Sequence, residues 1–361
     1  MKLCSLISGG IFAVVIAMAG TVAPAAAAYD QIVAFGDSLS DQGNSYQEYG
    51  YPPVPPYYKG RYSDGPSFID QLSGQLGLTV TASIDGGQNY AMGGAVTGQN
   101  NKNPTMSYKP PSVLQQVSTY LASVHGKADP NALYTVVIGA NDVFAILQET
   151  ENNPLDILGL PGVVNNGANN LRLTVAELEA AGAKHILVNN LPNMGLLPIV
   201  TEAPPGFLGL NTLLGPTIAT AAAQYWDLIE AVTLLPYTKN GEVTLWDWYN
   251  TTTIVLAQGA SFGVTNTTTG CVPGYGETLG VVDSCTPAQE ATHAFFDQVH
   301  FTVLGYFGMT EGALCALGLP NTLSSPQSDC VVSVASVEAG RSARRLTAAE
   351  LRAFSQRRIL R

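Results

Sequence analysis

Short apolar runs rich in β-branched residues alternate along this chain with stretches of helical period, the pattern of a parallel sheet covered by helices. Gln31 to Phe35 is the first such run and predicts a strand; Leu133 to Ile138, Ile186 to Asn189 and Val243 to Leu245 predict three more. Between them, Pro66 to Leu76 places Phe68, Ile69, Leu72 and Leu76 on one helical face, with Gly77 as a stop signal. Val164 to Ala181, ended near Gly182, and Thr217 to Leu235 predict two long helices. With no internal repeat and no Pro/Gly linker dividing the body, the pattern predicts one α/β domain.

The ends of the chain follow other rules. Met1-Lys2, an apolar run from Leu3 to Ala19 and the small residues Ala26-Ala27-Ala28 have the layout of a secretory signal peptide cleaved after Ala28. A membrane anchor is the competing reading, but the run is barely long enough to span and no later segment matches it. Removing the leader removes Cys4 and leaves Cys271, Cys285, Cys315 and Cys330, an even set that suits an oxidising compartment. Three pairings are open; neighbour pairing, Cys271 with Cys285 and Cys315 with Cys330, is preferred because each closes a short loop. The spacing lacks the close cysteine pairs of a structural zinc site. Asn250-Thr251-Thr252 and Asn266-Thr267-Thr268 fit the glycosylation pattern.

Charge is low and uneven. Of the residues 12% are charged and 46% hydrophobic, enough apolar material for a large core. From Tyr29 to Gly340 there are 26 acidic and 8 basic side chains, a surface that repels polyphosphate and argues against nucleic acid as a partner. Arg341 to Arg361 reverses this with seven arginines and one acid, Glu350. There Thr347 and Glu350 stand at capping-box spacing, so Thr347 to Ile359 can start a short basic amphipathic helix; a frayed terminus is the plainer reading.

Chemistry gathers at the predicted strand ends, where open α/β sheets place their sites. Phe35-Gly36-Asp37-Ser38-Leu39-Ser40-Asp41 puts Ser38 just past the first strand, and Gly139-Ala140-Asn141-Asp142 puts an uncharged amide donor just past the second. Asn89-Tyr90-Ala91-Met92-Gly93-Gly94-Ala95 offers backbone N–H groups unobstructed by side chains, suited to an oxyanion. Each of these segments, alone, is equally an ordinary turn. Asp297 lies three residues before His300, so one turn can direct both toward one cleft, with Asp297 orienting the ring and the other nitrogen facing Ser38. His125 and His185 sit in surface-like contexts, and His293 has no carboxylate at that offset.

Together GDSLSDQGN, NYAMGGA, GAND and DQVH resemble, in order and rough position, the four sequence blocks of GDSL/SGNH hydrolases. PPYYKGRYSDGPSFIDQL, LPNMGLLP and GVTNTTTGC are similar to segments of its secreted lipase/esterase branch, and the likeness covers about Gln31 to Leu317. The resemblance implies a three-layer αβα sandwich with a central parallel sheet of flavodoxin-like type. It implies Ser38 as nucleophile, Asp297 and His300 as its partners, and an oxyanion hole from the Ser38 N–H, a glycine N–H and the Asn141 amide. Counting from Asn89 favours Gly94 as that glycine, with Gly93 the alternate. Many members write tryptophan where this chain has Phe296, a departure that touches the pocket rather than the triad.

The expected organisation is therefore a signal peptide over 1–28, a catalytic domain over 29–331 and a basic tail over 332–361. The expected activity is secreted, extracellular hydrolysis of short-chain acyl or lipid esters. Polysaccharide deacetylation and an inactive carbohydrate- or lipid-binding protein are the alternatives. No metal or cofactor is expected, since H-E-x-x-H, P-loop and dinucleotide patterns are missing. Tyr46, Tyr49, Tyr57, Tyr58 and Phe301 are candidates to line an acyl slot. A rival nucleophile is Ser261 in Gly259-Ala260-Ser261-Phe262-Gly263, a G-x-S-x-G pattern after a strand-like Thr251 to Leu256. Against it, the Val264 to Gly270 stretch that follows does not propagate the helix such an elbow needs.

Overall fold

The computed structural model describes residues 29–99, 108–202, 214–276, 280, 282–323 and 325–332. The expected leader and the basic helix over 347–359 lie outside them. Four fully parallel strands form the central sheet in the order β1 (Ile32–Gly36), β2 (Leu133–Val137), β3 (His185–Asn189) and β4 (Val243–Trp246). All four predicted strands are present, with bounds shifted by one residue at most. β1 and β2 are buried along their whole length, which is why they read as unbroken apolar runs rather than alternating ones.

A fifth edge went unread in the sequence. Ala34 bridges Asn89 in parallel, the Ala34 N–H donates to the Gln88 carbonyl, and the Tyr90 and Met92 N–H groups donate to the carbonyls of Ala34 and Gly36. Residues 88–92 thus run along the outer side of β1 as the second strand-like segment in chain order. That gives the spatial order 2-1-3-4-5, whose switch point falls between β1 and β2, and ligands of doubly wound sheets bind outside the carboxyl ends there.

The helices are α1 (Asn44–Tyr49), α2 (Phe68–Gln75), α3 (Val113–Ser123), α4 (Ala140–Asn152), α5 (Leu160–Ala181), α6 (Pro198–Thr201), α7 (Gly215–Asn240), α8 (Trp248–Ala257), α9 (Pro287–Glu290) and α10 (Val303–Ala316). α3, α5 and α7 pack in succession, α10 packs on α2 and α8, and both groups reach the sheet. This is the expected αβα sandwich. A small parallel pair, β5 (Asn266–Gly270) and β6 (His293–Phe295), stands apart from the main sheet.

Two helices depart from the sequence reading. α7 runs on through Pro236 to Asn240 before Gly241 ends it, because its packing against α5 and β4 outweighs the lost backbone donor. Thr251 to Leu256 is not a strand: it lies within α8, whose N-cap Asp247 accepts from the Asn250 N–H at 3.0 Å. Bare positions on α10 receive its β-branched side chains, since a Cβ on Gly308 would lie 2.4 Å from Val255 and one on Gly312 would lie 2.0 Å from Thr251. Close helix packing therefore overrides the β-propensity of the run. The rival elbow loses its strand with this correction, and Gly259–Phe262 is a single 3-10 turn followed by β5.

Both expected disulfides are formed, Cys271–Cys285 and Cys315–Cys330. The amides of the two glycosylation candidates are engaged within the fold. Asn250 donates to the Asp329 carbonyl at 2.7 Å, and the Asn266 amide bonds Thr269 and His293.

One buried acid has a measurable consequence. Glu230 on α7 has no exposed surface; its Oε2 accepts from the Trp226 indole at 2.9 Å, and its Oε1 has no hydrogen-bond partner. Burial raises its carboxyl well above the ordinary value, opposed by the Trp226 bond. A raised folded-state pKa means stability that is fully present below the unfolded pKa of about 4.3 and lost as pH rises toward the folded one. Glu230→Gln, neutral at every pH, is therefore expected to melt above the wild type in alkali. The gap should widen by up to about 1.4 kcal/mol per pH unit across that window. Denaturant melts from pH 4 to 9 test this, and a constant gap would show that Glu230 does not titrate on folding.

Candidate active site

The site begins where β1 stops. Gly36 has φ +152°, and a Cβ there would lie 2.2 Å from the Val137 carbonyl oxygen, so only glycine lets β1 end this close to β2. The Gln116 side chain from α3 holds the same residue in both directions, accepting from the Gly36 N–H and donating to its carbonyl, each at 2.9 Å. The chain then turns through Asp37, whose carbonyl accepts from the N–H groups of Ser40 and Asp41. Ser38 stands on this turn, 8% exposed.

The other half comes from the loop after β6. Asp297 Oδ1 accepts from the backbone N–H groups of Val299 at 2.7 Å and His300 at 2.6 Å, which folds the four residues into a tight turn. Asp297 Oδ2 lies 2.7 Å from His300 Nδ1, and His300 Nε2 lies 2.8 Å from Ser38 Oγ across 262 positions of sequence. A carboxylate only accepts, so Nδ1 carries the ring proton and Nε2 is left to accept from the Ser38 hydroxyl. Burial alone would raise the Asp297 carboxyl, but the imidazole charge and the hydrogen bonds from His300 and Tyr57 hold it below its ordinary value.

The loop is braced from outside. The N–H groups of Cys271 and Val272 both donate to the Phe296 carbonyl, at 2.8 and 2.7 Å, and the Gln298 N–H donates to Gly274. Cys271 and Val272 also share a small buried cluster with Tyr57 and Phe296, so the Cys271–Cys285 bridge supports the Asp297 turn. Tyr62 covers the His300 ring at 4.9 Å between centroids. Its phenol fits because Gly93 lacks a side chain; a Cβ there would lie 2.0 Å from the Tyr62 hydroxyl.

The oxyanion candidates lie beside Ser38. Asn141, the second residue of α4 just past the end of β2, lines the cleft that contains Ser38 and donates from Nδ2 to the Ala95 carbonyl at 2.9 Å. Its second contact, to Asp37 Oδ2, is long at 3.5 Å. Burial pushes the Asp37 carboxyl up to about 7, against the Leu39 N–H bond and the His300 charge, which lower it. Of the two glycines, Gly93 has its N–H committed to Asp41 Oδ2 at 2.9 Å and Ser45 Oγ at 2.7 Å. Gly94, the glycine that counting from Asn89 favours, follows Gly93 on the same loop with φ +74°.

Some supporting residues went unnoticed in the sequence. Asp41 is fully buried and gathers the N–H groups of Gly43, Asn44, Ser45 and Gly93. Asn44 donates to the carbonyls of Asn89 and Ala91, and Asn89 donates back to Ser40, stitching the serine loop to the glycine loop. The signal was present as polar residues inside GDSLSDQGN that no surface role explains.

Of the five candidate aromatics, one reaches the cleft that contains Ser38. Phe301 lines the cleft beside Ser38, with Leu39, Phe144, Leu197, Trp248 and Val299. Tyr46 and Tyr58 are exposed, and Tyr49 stacks on Tyr108. Tyr57 is buried, with its hydroxyl donating to Asp297 Oδ2 at 2.6 Å. Among the described residues, the grouping with metal-ligand spacing is Cys271, Cys285 and His293, but its two sulfurs are bonded to each other and offer no thiolate.

The family model for GDSL-like lipase/acylhydrolase matches residues 32–312. This chain belongs to the GDSL lipase/acylhydrolase family. It is 35% identical over 184 residues to Lipase 1 of Photorhabdus luminescens, covering 48% of this chain and 24% of that protein. It is 34% identical over 174 residues to a phosphatidylcholine-sterol acyltransferase of Aeromonas hydrophila, covering 47% of each. A GDSL esterase/lipase of Arabidopsis thaliana is 26% identical over 297 residues, 74% of this chain and 79% of that one. The chain thus spans less than half of the first two relatives' own lengths. Within the GDSL family frame, the matched region contains Ser38, Asn141, Asp297 and His300.

Proposed function

We propose that this GDSL family member is a secreted serine ester hydrolase that works through an acyl-enzyme. The observation that carries this is the unbroken run of bonds from Ser38 Oγ through His300 to Asp297, at 2.8 and 2.7 Å. Ser38 Oγ attacks the ester carbonyl carbon while His300 Nε2 takes its proton, and Asp297 holds the Nδ1 proton and steadies the imidazolium. The N–H groups of Ser38 and Gly94 and the Asn141 amide hold the developing oxyanion, Asn141 giving up its long contact with Asp37. The C–O bond then breaks, the alcohol leaves with the proton from His300, and water repeats the sequence to release the acid. None of these steps calls for a metal or cofactor.

The apolar cleft walls, Leu39, Phe144, Leu197, Trp248 and Phe301, favour a fatty acyl group over a polar one. Relatives that carry lipase and acyltransferase names support the same substrate class. Two disulfides fit an extracellular working place.

An acyl-ester panel from acetyl to long-chain, with acetylated xylan and a phospholipid, tests the reading. Turnover of the aliphatic esters is expected, with the phospholipid or the longer chains favoured over acetyl. Acetate release from xylan without cleavage of longer acyl groups would transfer the protein to the polysaccharide deacetylases. Ligand binding with no alcohol or acid released from any substrate would make it a binding protein.

A further inference from the structure

The phenol of Tyr57 is 1% exposed and reaches Asp297 from a segment more than two hundred residues earlier in the chain. Its ring stands edge-on to Phe296 at 5.2 Å and 86°, and to Tyr62 at 6.2 Å and 64°. The hydroxyl therefore has a fixed direction, and it donates at 2.6 Å to the same Oδ2 that faces the His300 ring.

We propose that Tyr57 is a positioning residue that tunes the Asp297–His300 pair through this hydrogen bond and so sets the lower pH limit of ester hydrolysis. The inference rests on the acyl-enzyme reading above. Two backbone donors on Oδ1 already fix the Asp297 rotamer, so the Tyr57 bond is not required to aim the carboxylate. What the bond adds is electrostatic. A donor on Oδ2 draws negative charge away from His300 and lowers the affinity of Nε2 for a proton, which keeps the base free in mild acid.

The other groups that face the pair are Asp37, whose carboxyl burial raises to about 7 so that it takes up a proton itself as the pH falls; Tyr306 on α10, a phenol that burial and the charges of Asp297, Asp37, Asp64 and Asp70 keep protonated; and the uncharged ring of Tyr62 over the imidazole. Tyr57→Phe leaves all of these in place and keeps the edge contacts with Phe296 and Tyr62.

The test is the pH dependence of kcat/KM for Tyr57→Phe on a chromogenic ester. The acidic limb is expected to move to higher pH by about 0.5 to 1 unit. On the acidic limb the variant should then be roughly three- to tenfold slower, while at the alkaline plateau kcat and KM stay within about threefold of wild type. An unmoved limb overturns the proposal, whether or not the plateau falls. The His300 ring titration, followed by NMR in Ser38→Ala and in Ser38→Ala with Tyr57→Phe, reads the same quantity in folded protein without turnover. A higher imidazole pKa in the double variant supports the role and an equal one sinks it. Should the wild type prove inactive on every ester, the catalytic reading fails while this titration still decides the Tyr57 interaction.

Discussion

Ser38→Ala is expected to lower kcat on the best ester of the panel by a factor on the order of 10⁵ to 10⁶, with KM little changed. The loss is large because, in the proposed mechanism, the Ser38 hydroxyl 2.8 Å from His300 Nε2 is the group that bonds to the substrate. Folding should be spared, since the alanine removes one atom from a residue at the cleft wall and leaves the turn bonds of Asp37 in place. Pre-steady-state measurements with excess chromogenic ester check this: a burst of alcohol in wild type and none in the variant. Retained turnover in Ser38→Ala would return Ser261 to consideration, and Ser261→Ala would then be the next measurement.

Asp297→Asn is expected to cost about 10⁴ in kcat, and the hydrogen bonds around the carboxylate say why. Oδ1 accepts from two backbone N–H groups, so an asparagine must place its carbonyl oxygen there. Its NH₂ then occupies the Oδ2 position facing His300 Nδ1, where it can only donate. The ring is driven to the tautomer with the proton on Nε2, which points at Ser38 and has no lone pair to receive the serine proton. Retained activity in Asp297→Asn at neutral pH would show that the carboxylate does not set the tautomer. A fall of the same size in Asp297→Ala with partial rescue by added carboxylate would fit the role assigned here.

Much of this site is legible in the linear chain because its blocks are local. Ser38 and Asn141 follow short apolar, β-branched runs that read as buried strands, and the carboxyl ends of neighbouring parallel strands lie side by side. The three-residue step from Asp297 to His300 is likewise a single turn closed by its own backbone. Other parts carried no local sign. α8 has β-branched residues that read as a strand, and α10 is buried on nearly every face, so it shows no amphipathic period to find. Residues 88–92 lie along β1 through backbone bonds, which leave little side-chain pattern to read.

What the sequence by itself determined is the set of chemical groups and the strand ends that bear them, because burial pattern and turn composition are properties of neighbours along the chain. The tertiary structure alone decided which of five candidate aromatics lines the Ser38 cleft and which one bonds Asp297, and it alone showed the Gly93 N–H committed to Asp41 and Ser45. Those outcomes depend on contacts between segments tens to hundreds of residues apart, and a hydrogen bond of 2.6 Å from Tyr57 to Asp297 exists only once the core has brought both ends of the chain to the same rim of the sheet.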